Sequence, residues 1–353
     1  MIDQPALIQA IAAVAAKWID PEYPQRQSVV EDTLVLENRF TEEAITFAIN
    51  QQMALLTESA LQGWLHGRQI SSPLTVGVLN AGNIPFVGLQ DWLAVVLCGA
   101  SYRGVLSSKS QFLLPAFAAE VIELYPDLDI DFVEYDEIFD EIDVLIATGS
   151  DDTIQSIIAD CDKHGIGQDE RLMRGHKYAV AVLTGKETSA QMECLAEDAL
   201  LHEGLGCRNV SIIWAPEDLA PDRYLEAFAV FRSVFPVHSR TPGSLKMKQA
   251  FLDAVGVSHA YGDGMEFLVS KGEPEQQEPG HIRWSTYRTT ADLISWMTDH
   301  EQEMQLIVAS KKIADQIEIV TPVVSFGEAQ RPALDWCADG VDTIAFLLSK
   351  QQA

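Results

Sequence analysis

Apolar and polar positions follow two different patterns along the chain. Residues 1–70 carry apolar residues at helical spacing, interrupted by polar turns such as Asp20-Pro21-Glu22. From residue 73 onward, short β-branched runs alternate with helical stretches. This alternation is typical of a parallel, doubly wound sheet covered by helices, so an α/β fold with a helical N-terminal region is predicted.

The first alternating series precedes residue 164. Its predicted strands are 75–79, 103–107, 130–135 and 144–149, and its predicted helices are 85–99, 112–124 and 152–163. Pro85 near the first turn favours the start of the helix at 85–99. The polar, glycine-containing stretch 164–177 then predicts a crossing between two domains.

A second series begins at residue 178. Its predicted strands are 178–183, 210–215, 306–310 and 317–326, and a helix is predicted at 188–203. Thr188 and Gln191 have the spacing of a capping box at the start of this helix, and Gly204 suits the left-handed residue that closes it. Residues 205–207 are therefore expected to form a tight connection into the next strand.

Composition narrows the class of protein. The chain has 353 residues, of which 47% are hydrophobic, as expected of a globular protein with room for two domains. Its 52 acidic and 24 basic residues give a net charge of −28, and such a field repels nucleic acid and anionic lipid. The apolar run at 92–100 is far shorter than the roughly 18 residues that a membrane span needs. Neither nucleic acid nor a membrane span is expected.

The cellular setting is predicted from the N-terminus and the cysteines. Asp3 stands where a signal peptide carries Lys or Arg, which favours an amphipathic surface helix. The five cysteines form no CxxC pair, and the histidines show no metal-ligand spacing. A reduced, cytoplasmic protein without a metal site is therefore expected.

Cys207 is the first candidate for chemistry. It lies in HEGLGCRNVS (202–211), where Gly204 and Gly206 would let a substrate approach the backbone. A thiolate attacks carbonyl carbon and also leaves readily, so acyl transfer suits it. The alternative is a buried cysteine in a turn, which is the commoner situation for an isolated cysteine. Three other cysteines lie in helical patterns and fit that alternative: Cys98, Cys161 and Cys194.

Two turns after predicted strands contain groups that suit anions. Asn83, in AGNIPFVG (81–88), could donate to an oxyanion or simply cap the following helix. Thr148, Gly149 and Ser150 form a strand-to-helix turn of the kind that binds phosphates in doubly wound sheets. That turn lacks a GxGxxG fingerprint, and two aspartates follow it. Binding and structural interpretations are both open here.

A third turn, after the strand at 103–107, combines two hydroxyls with a cation. Ser107, Ser108 and Lys109 could meet a ribose phosphate, or Lys109 could be an ordinary solvated lysine. His202 lies five residues before Cys207 and could act as an acid or base, although a histidine at a helix end also interacts with the helix dipole.

The order of these motifs resembles the aldehyde dehydrogenase superfamily. More closely, it resembles the bacterial acyl-CoA reductases related to the fatty-acyl reductase of bacterial luminescence. The resemblance spans roughly residues 75–350 and depends on these phrases: GNIPFVG, IDVLIATGSDDT, VAVLTG, GLGCRNVS, and FGEAQRP followed by ADGVDT. It implies two Rossmann-like, doubly wound lobes with a helical N-terminal region.

The resemblance also implies a division of the chain and a reaction. Residues 1–70 would pack on a cofactor lobe at 71–176, residues 177–316 would form the catalytic lobe, and residues 317–353 would return to the cofactor lobe. Cys207 would attack a thioester and release coenzyme A, and a reduced nicotinamide would convert the acyl group to an aldehyde.

Further site residues follow from the same resemblance. The Asn83 side chain and the Cys207 backbone N–H would form an oxyanion hole. Residues 148–150 would lie near the cofactor pyrophosphate. Glu318, in EIVTP (318–322), loosely matches the superfamily's Glu-x-Phe-Gly-Pro motif, whose glutamate holds the nicotinamide ribose.

Three departures from the superfamily pattern bear on function. A Glu-Leu-Gly-Gly-Lys stretch is expected to correspond to 182–186, which puts Val182 where hydrolytic dehydrogenases keep a general base and favours reduction. A Lys-Pro-Ser-Glu stretch corresponds to 105–108, so its lysine is lost and its glutamate becomes Ser108 beside Lys109. That charge change favours NADPH, with NADH as the alternative. The chain is also short for the superfamily, so no oligomeric state is carried across.

The predicted function is NADPH-dependent reduction of an acyl-CoA, or an acyl thioester on a carrier protein, to an aldehyde. Expected partners are that thioester and either a second copy of the chain or an aldehyde-consuming enzyme. Two alternatives stay open. One is an NAD(P)-dependent dehydrogenase that oxidises an aldehyde to an acid, and the other is a non-catalytic protein that binds an acyl-CoA or a partner on the same fold, which the weakened cofactor motifs favour.

Overall fold

The computed structural model describes residues 2–68 and 73–350. The chain divides into two compact units: Met1–His176 with Ala333–Ala353, and Lys177–Pro332. The expected boundary at residues 70 and 71 lies outside the described residues. Residues 317–332 belong to the second unit, contrary to their assignment to the returning C-terminal segment. Their strand pairs within the second unit's sheet, which explains the difference.

Helices and strands are distributed over both units. The helices are α1 (Gln4–Trp18), α2 (Pro24–Asp32), α3 (Glu42–Leu55), α4 (Glu58–Leu65), α5 (Leu89–Cys98), α6 (Leu113–Leu124), α7 (Asp151–His164), α8 (Ser189–Leu200), α9 (Asp222–Val234), α10 (Thr241–Val255), α11 (Thr290–Asp299), α12 (Lys311–Ala314) and α13 (Thr343–Ser349). The strands are β1 (Thr75–Leu79), β2 (Ser101–Val105), β3 (Ile130–Phe132), β4 (Val144–Thr148), β5 (Arg171–Arg174), β6 (Tyr178–Val182), β7 (Val210–Pro216), β8 (His259–Tyr261), β9 (Leu268–Lys271), β10 (His281–Tyr287), β11 (Met304–Ala309) and β12 (Val323–Val324). Within the described residues, no helix has the length and apolar character that a membrane crossing requires.

The N-terminal residues form the predicted helices. In α1, Leu7, Ile11, Val14 and Trp18 recur at helical spacing, and all four side chains are fully buried. Asp3 caps this helix by accepting a hydrogen bond from the Ala6 N–H at 3.1 Å. The cap at Asp3 therefore fixes the start of α1, and the amphipathic pattern determines its buried face.

The first unit contains a five-stranded parallel sheet in the order β3-β2-β1-β4-β5. Strand β5 lies in the stretch that was predicted to be a crossing between domains. This strand was not predicted, because its inward-facing residue, Arg174, is charged and interrupts the apolar pattern of a buried strand. That side chain is buried and donates to both carboxylate oxygens of Asp91, at 2.8 and 2.7 Å, and to Thr343.

The helix predicted to begin near Pro85 begins four residues later, at Leu89. Residues 83–88 form a turn, and within it Phe86 has a left-handed backbone conformation with φ of 62°. The Phe86 ring is buried, with its centroid 5.7 Å from that of Trp18 and 6.1 Å from that of Phe117. This aromatic packing offsets the backbone strain and holds the turn that carries Asn83.

The second unit contains a seven-stranded sheet in the order β12-β11-β6-β7-β10-β9-β8. All its pairings are parallel except that of β8 with β9. The predicted strand at 317–326 shrinks to the two residues of β12. The capping box at Thr188 is present as predicted, but α8 ends at Leu200 rather than at residue 203.

Candidate active site

Cys207 lies in a tight turn between α8 and β7, as the sequence predicted. The Asn209 N–H donates to the Gly206 carbonyl at 2.9 Å, and the Gly206 N–H donates to Oδ1 of Asn209 at 2.8 Å. Cys207 and Arg208 are therefore the two central residues of a turn that is closed from both ends. The cysteine side chain is half-buried. The turn thus presents the thiol while its own backbone is held in place.

Asn209 also joins this turn to the end of α8. Its Nδ2 donates to the carbonyl oxygens of Leu201 at 2.7 Å and Asp198 at 3.2 Å, and it reaches Ala199 at 3.4 Å. Carbonyls at a helix end lack partners within the helix, so one buried amide satisfies several of them. Sequence reasoning missed this residue, and its position two residues after the cysteine was the only signal.

The segment Ser325–Arg331, hereafter the 325–331 segment, packs against the same turn. Arg208 is buried, and its guanidinium donates to the Ala329 and Glu328 carbonyl oxygens. Nε2 of Gln330 donates at 3.0 Å to the carbonyl oxygens of both Asp198 and Arg208. Residues more than 120 positions apart in sequence therefore hold the backbone on either side of Cys207.

Asp198 completes this network from α8. Its side chain is fully buried, and its carboxylate accepts hydrogen bonds from the N–H groups of Gly327 at 2.7 Å and Ala329 at 3.1 Å. Burial raises the pKa of Asp198 to about 7, although these two donors and Arg208 act in the opposite direction. Burial likewise lowers the pKa of Arg208 to about 10, against the influence of Cys207 and Asp198.

The connection between α8 and Leu205 is a left-handed turn. His202, Glu203 and Gly204 have φ values of 53°, 58° and 75°, whereas only Gly204 was predicted to adopt such a conformation. The Glu203 carboxylate accepts from the His238 N–H and from the Thr241 hydroxyl, which accounts for the strained glutamate conformation. Burial lowers the pKa of His202 to about 4, so this imidazole is neutral at pH 7.

The predicted relationship between Val182 and Cys207 is wrong. β6 and β7 are parallel, and Ala179 pairs with Val210 whereas Val182 pairs with Trp214. Cys207 precedes Val210, so it lies at the opposite end of β6 from Val182. Val182 is a fully buried core residue of β6. Residue counting from a motif does not show which end of a strand faces a given turn, and the valine carries no information about a base near Cys207.

The first unit brings its candidate residues to one edge of its sheet. Because β1 lies between β2 and β4, the turns at Asn83, at 107–109 and at 148–150 all follow the carboxyl ends of adjacent strands. This is the switch point at which doubly wound sheets bind ligands. Gly82 is required here, since a Cβ atom at that position would lie 2.4 Å from Oγ of Ser107.

Some side chains at this edge form hydrogen bonds within the protein, whereas others are exposed to solvent. Oγ of Ser150 caps α7 by accepting from the Thr153 N–H at 3.3 Å, and Asp151 accepts from the His176 N–H at 2.8 Å. Ser108 and Lys109 are exposed. Sequence reasoning missed Asn80, whose Nδ2 donates to the Tyr102 hydroxyl at 3.0 Å and to the Val105 carbonyl at 3.1 Å, joining the ends of β1 and β2.

Glu318 lies in the second unit, on the exposed loop between α12 and β12. The loop is held through Glu301, whose carboxylate accepts from the N–H groups of Val320 and Thr321. The structure therefore describes an ordered loop at this motif, and the assignment of Glu318 to a nicotinamide ribose stays a prediction.

Comparison with solved structures places the fold in a known class. The chain aligns with an oxidoreductase from Marinobacter aquaeolei at a TM-score of 0.72 and 11% identity, covering 96% of this chain and 80% of that one. An NAD-dependent benzaldehyde dehydrogenase from Corynebacterium glutamicum aligns at 0.67 and 17% identity, with 92% and 80% covered. An indole-3-acetaldehyde dehydrogenase in complex with NAD+ aligns at 0.68 and 12% identity, with 91% and 76% covered.

The chain therefore has the fold of the aldehyde dehydrogenases, as its sequence motifs indicated. At these identities the likeness concerns the fold alone. No family model matches the sequence, and no curated protein is similar to it.

Proposed function

We propose that the protein is an acyl-thioester reductase that forms an aldehyde through an acyl group on Cys207, with NADPH as the reductant. The observation that carries this proposal is the position of Cys207 in a fold of the aldehyde dehydrogenase class. It is half-buried at the centre of a turn that three buried polar side chains hold: Arg208, Asn209 and Gln330. Cys98 and Cys161 differ in being fully buried in the core of the first unit, where burial raises the pKa of their thiols.

In the proposed acylation, the Cys207 thiolate attacks the thioester carbonyl carbon. A new C–S bond forms, the bond to coenzyme A breaks, and the departing thiolate takes a proton from solvent. The Cys207 backbone N–H is proposed to donate to the carbonyl oxygen, whose negative charge grows in the transition state. A turn fixed at both ends suits this task, because a preorganised donor need not be reordered during the reaction.

The carboxyl edge of the first sheet is the proposed cofactor site. Its turns lie side by side, and Gly82 permits a close approach between two of them. Residues 107–109 would hold the adenosine ribose, with Lys109 beside a 2′-phosphate, and the turn at 148–150 would lie near the pyrophosphate. When bound, the reduced nicotinamide supplies a hydride to the acyl carbon, and the hydride displaces Cys207 in the overall reaction. Asn83 and Glu318 keep their proposed roles as oxyanion donor and nicotinamide-ribose ligand.

Reduction rather than hydrolysis is proposed on grounds other than Val182. The Asp198 carboxylate accepts from Gly327 and Ala329, and the Glu203 carboxylate accepts from His238 and Thr241, so both are engaged within the protein rather than orienting a water molecule. The phrase GLGCRNVS also resembles the acyl-CoA reductases. The competing function is oxidation of an aldehyde, which the solved structures named as aldehyde dehydrogenases favour.

The proposed function is tested by intact-protein mass spectrometry. Wild-type protein is mixed with an acyl-CoA in the absence of NADPH, and we expect a mass increase of one acyl group located on Cys207. The variant Cys207→Ser should not gain this thioester, whereas Cys337→Ser, which changes a half-buried cysteine in the first unit, should gain it like the wild type. Binding of acyl-CoA without any acylation would overturn the proposal and favour a non-catalytic protein.

Stoichiometry then separates the two enzymatic functions. With acyl-CoA and NADPH, equal amounts of aldehyde, free coenzyme A and NADP+ should form. Conversion of an aldehyde to a free acid in the absence of coenzyme A, with no reduction of acyl-CoA, would identify an aldehyde dehydrogenase instead.

A further inference from the structure

The second unit contains a pocket at the sheet edge opposite to Cys207. Its volume is about 450 Å³, and its lining includes Thr184 after β6 and Ser310 after β11. Both strands run parallel to β7, and Cys207 precedes the first residue of β7. The pocket is thus at the carboxyl ends of the strands, whereas the nucleophile is at their amino ends.

This pocket lies at the switch point of the second sheet. In the sheet, β6 lies between β7, which is the next strand in the sequence, and β11, which comes much later in the sequence. The connections that follow β6 and β11 therefore diverge and leave a crevice between them. Crevices of this kind are the usual ligand sites of doubly wound sheets. A volume of several hundred cubic ångströms suits a small organic ligand rather than a single ion.

The charge of the lining is opposite to that of the whole chain. Lys186 and Lys312 both line the pocket in a protein whose net charge is −28. The acidic residue of the lining is Glu187, which is buried. Its Oε1 accepts from the N–H and hydroxyl of Thr184, at 2.7 and 2.8 Å, and its Oε2 accepts from the Gly185 N–H at 3.0 Å and the Tyr224 hydroxyl at 2.5 Å.

The main role of Glu187 in this pocket is structural. Burial acts to raise its pKa, but the hydrogen bonds from Tyr224 and Thr184 outweigh burial and lower it. The ionised carboxylate is therefore used within the protein to order the Thr184–Gly185 turn. Lys186 and Lys312 are therefore the charged groups of the lining that can contact a ligand. Thr290 and Ser310 add hydroxyl groups to the same lining.

We propose that this pocket binds a phosphate monoester of about nucleotide size, with Lys186 and Lys312 on the phosphate. Two lysine ammonium groups act as point charges and suit a phosphate, whereas recognition of a planar carboxylate favours arginine, which is absent from these lining residues. Tyr287 and Ile313 provide apolar surface for the rest of the ligand. The site is separate from the proposed thioester chemistry, and its test requires neither a thioester nor NADPH.

The experiment is calorimetric titration of the 353-residue chain with inorganic phosphate and with adenosine 5′-monophosphate, at constant ionic strength. The variant with both Lys186→Gln and Lys312→Gln should bind both probes at least about tenfold more weakly than the wild type. Lys311→Gln is the matched control, because Lys311 is an exposed neighbour that is not among the lining residues. This control should bind both probes within about twofold of the wild type.

Three results would overturn the proposal. The first is a double variant that binds both probes as tightly as the wild type. The second is a wild-type protein that binds neither probe. The third is weakened binding of phosphate with unchanged binding of the nucleotide, because the ester would then occupy another site. Thermal unfolding of each variant, without ligand, verifies that the exposed lysines were replaced without loss of the fold.

Discussion

The side chains of Asp198 and Gln330 each bind the other's backbone segment. The Asp198 carboxylate accepts from the N–H groups of Gly327 and Ala329, and Gln330 donates at 3.0 Å to the Asp198 carbonyl oxygen. Gln330 donates equally to the carbonyl of Arg208, the residue after Cys207. The end of α8, the Cys207 turn and the 325–331 segment are thus joined by buried polar groups, which are satisfied together or not at all.

Replacement of Gln330 by alanine should loosen the Cys207 turn. Gln330→Ala leaves two buried carbonyl oxygens without this donor, so the free energy of unfolding should fall by about 1–3 kcal/mol in urea titrations. Release of coenzyme A in a single turnover should slow by about tenfold or more, because the thiol is positioned less well. Gln277→Ala is the control, since Gln277 bonds only within its own loop in the hydrogen bonds described, and it should change stability by less than about 0.5 kcal/mol. An unchanged acylation rate in Gln330→Ala would show that the turn does not need this support.

Asn209→Asp tests the donor role of the Asn209 amide with little change in shape. The substitution replaces a donor by a carboxylate oxygen facing the carbonyl oxygens of Asp198, Ala199 and Leu201. At pH 8 it should destabilise the protein by about 3–5 kcal/mol, more than the 1–3 kcal/mol expected for Asn209→Ala. At pH 5.5 the gap should narrow, because a buried carboxyl group with a raised pKa binds a proton. Equal losses at both pH values would contradict the donor role.

The buried Asp198 predicts a pH dependence of stability. Burial raises its folded-state pKa to about 7, above the unfolded value near 3.8, so the folded protein binds more protons in the interval between them. The contribution of Asp198 to stability is therefore largest at low pH and is lost as pH rises toward 7. His202 and His281 act in the opposite direction, since burial lowers their pKa values to about 4 and about 3.

Comparison with Asp198→Asn isolates the aspartate from these histidines. The wild type should become less stable relative to the variant as pH rises from 5.5 to about 7, and the difference in unfolding free energy should level off near pH 8. The asparagine also loses one of the two acceptors for Gly327 and Ala329, which lowers stability by about 1 kcal/mol at every pH. A difference that is constant with pH would mean that Asp198 does not titrate in this interval.

Local sequence signals predicted the parts of the fold that depend on local physics. The buried β-branched run at 75–79 is β1 with the predicted bounds, and the capping box at Thr188 starts α8. Strand β5 was missed because its inward-facing Arg174 is stabilised by Asp91 and Thr343, which lie far away in sequence. A pattern of apolar residues cannot reveal a strand whose buried side chain is charged and paired.

The candidate site shows the same limit. Cys207 and its tight turn could be predicted from the glycines and the helix before them, and the fold from the order of motifs. The hydrogen bonds by which Asn209 and Gln330 support this turn could not be predicted, because the partners of a side-chain amide depend on tertiary structure. Val182 was misplaced for a related reason: the register of β6 against β7 determines which end of the strand lies near Cys207.

Under the proposed function, the charge at the turn after β2 sets the preference between NADPH and NADH. Lys109→Gln removes an exposed cation, and Ser108→Glu introduces an acidic residue, which repels a 2′-phosphate. Lys109→Gln should lower the ratio of kcat/KM for NADPH to that for NADH by about tenfold, equivalent to roughly 1.4 kcal/mol, and Ser108→Glu should lower it further. Lys163→Gln is the matched control, because Lys163 is an exposed lysine on α7 that pairs with Asp160, and it should leave the ratio unchanged. If Lys109→Gln and Ser108→Glu both keep the wild-type ratio, the ribose phosphate does not lie beside this turn, and the preference for NADPH loses its physical basis.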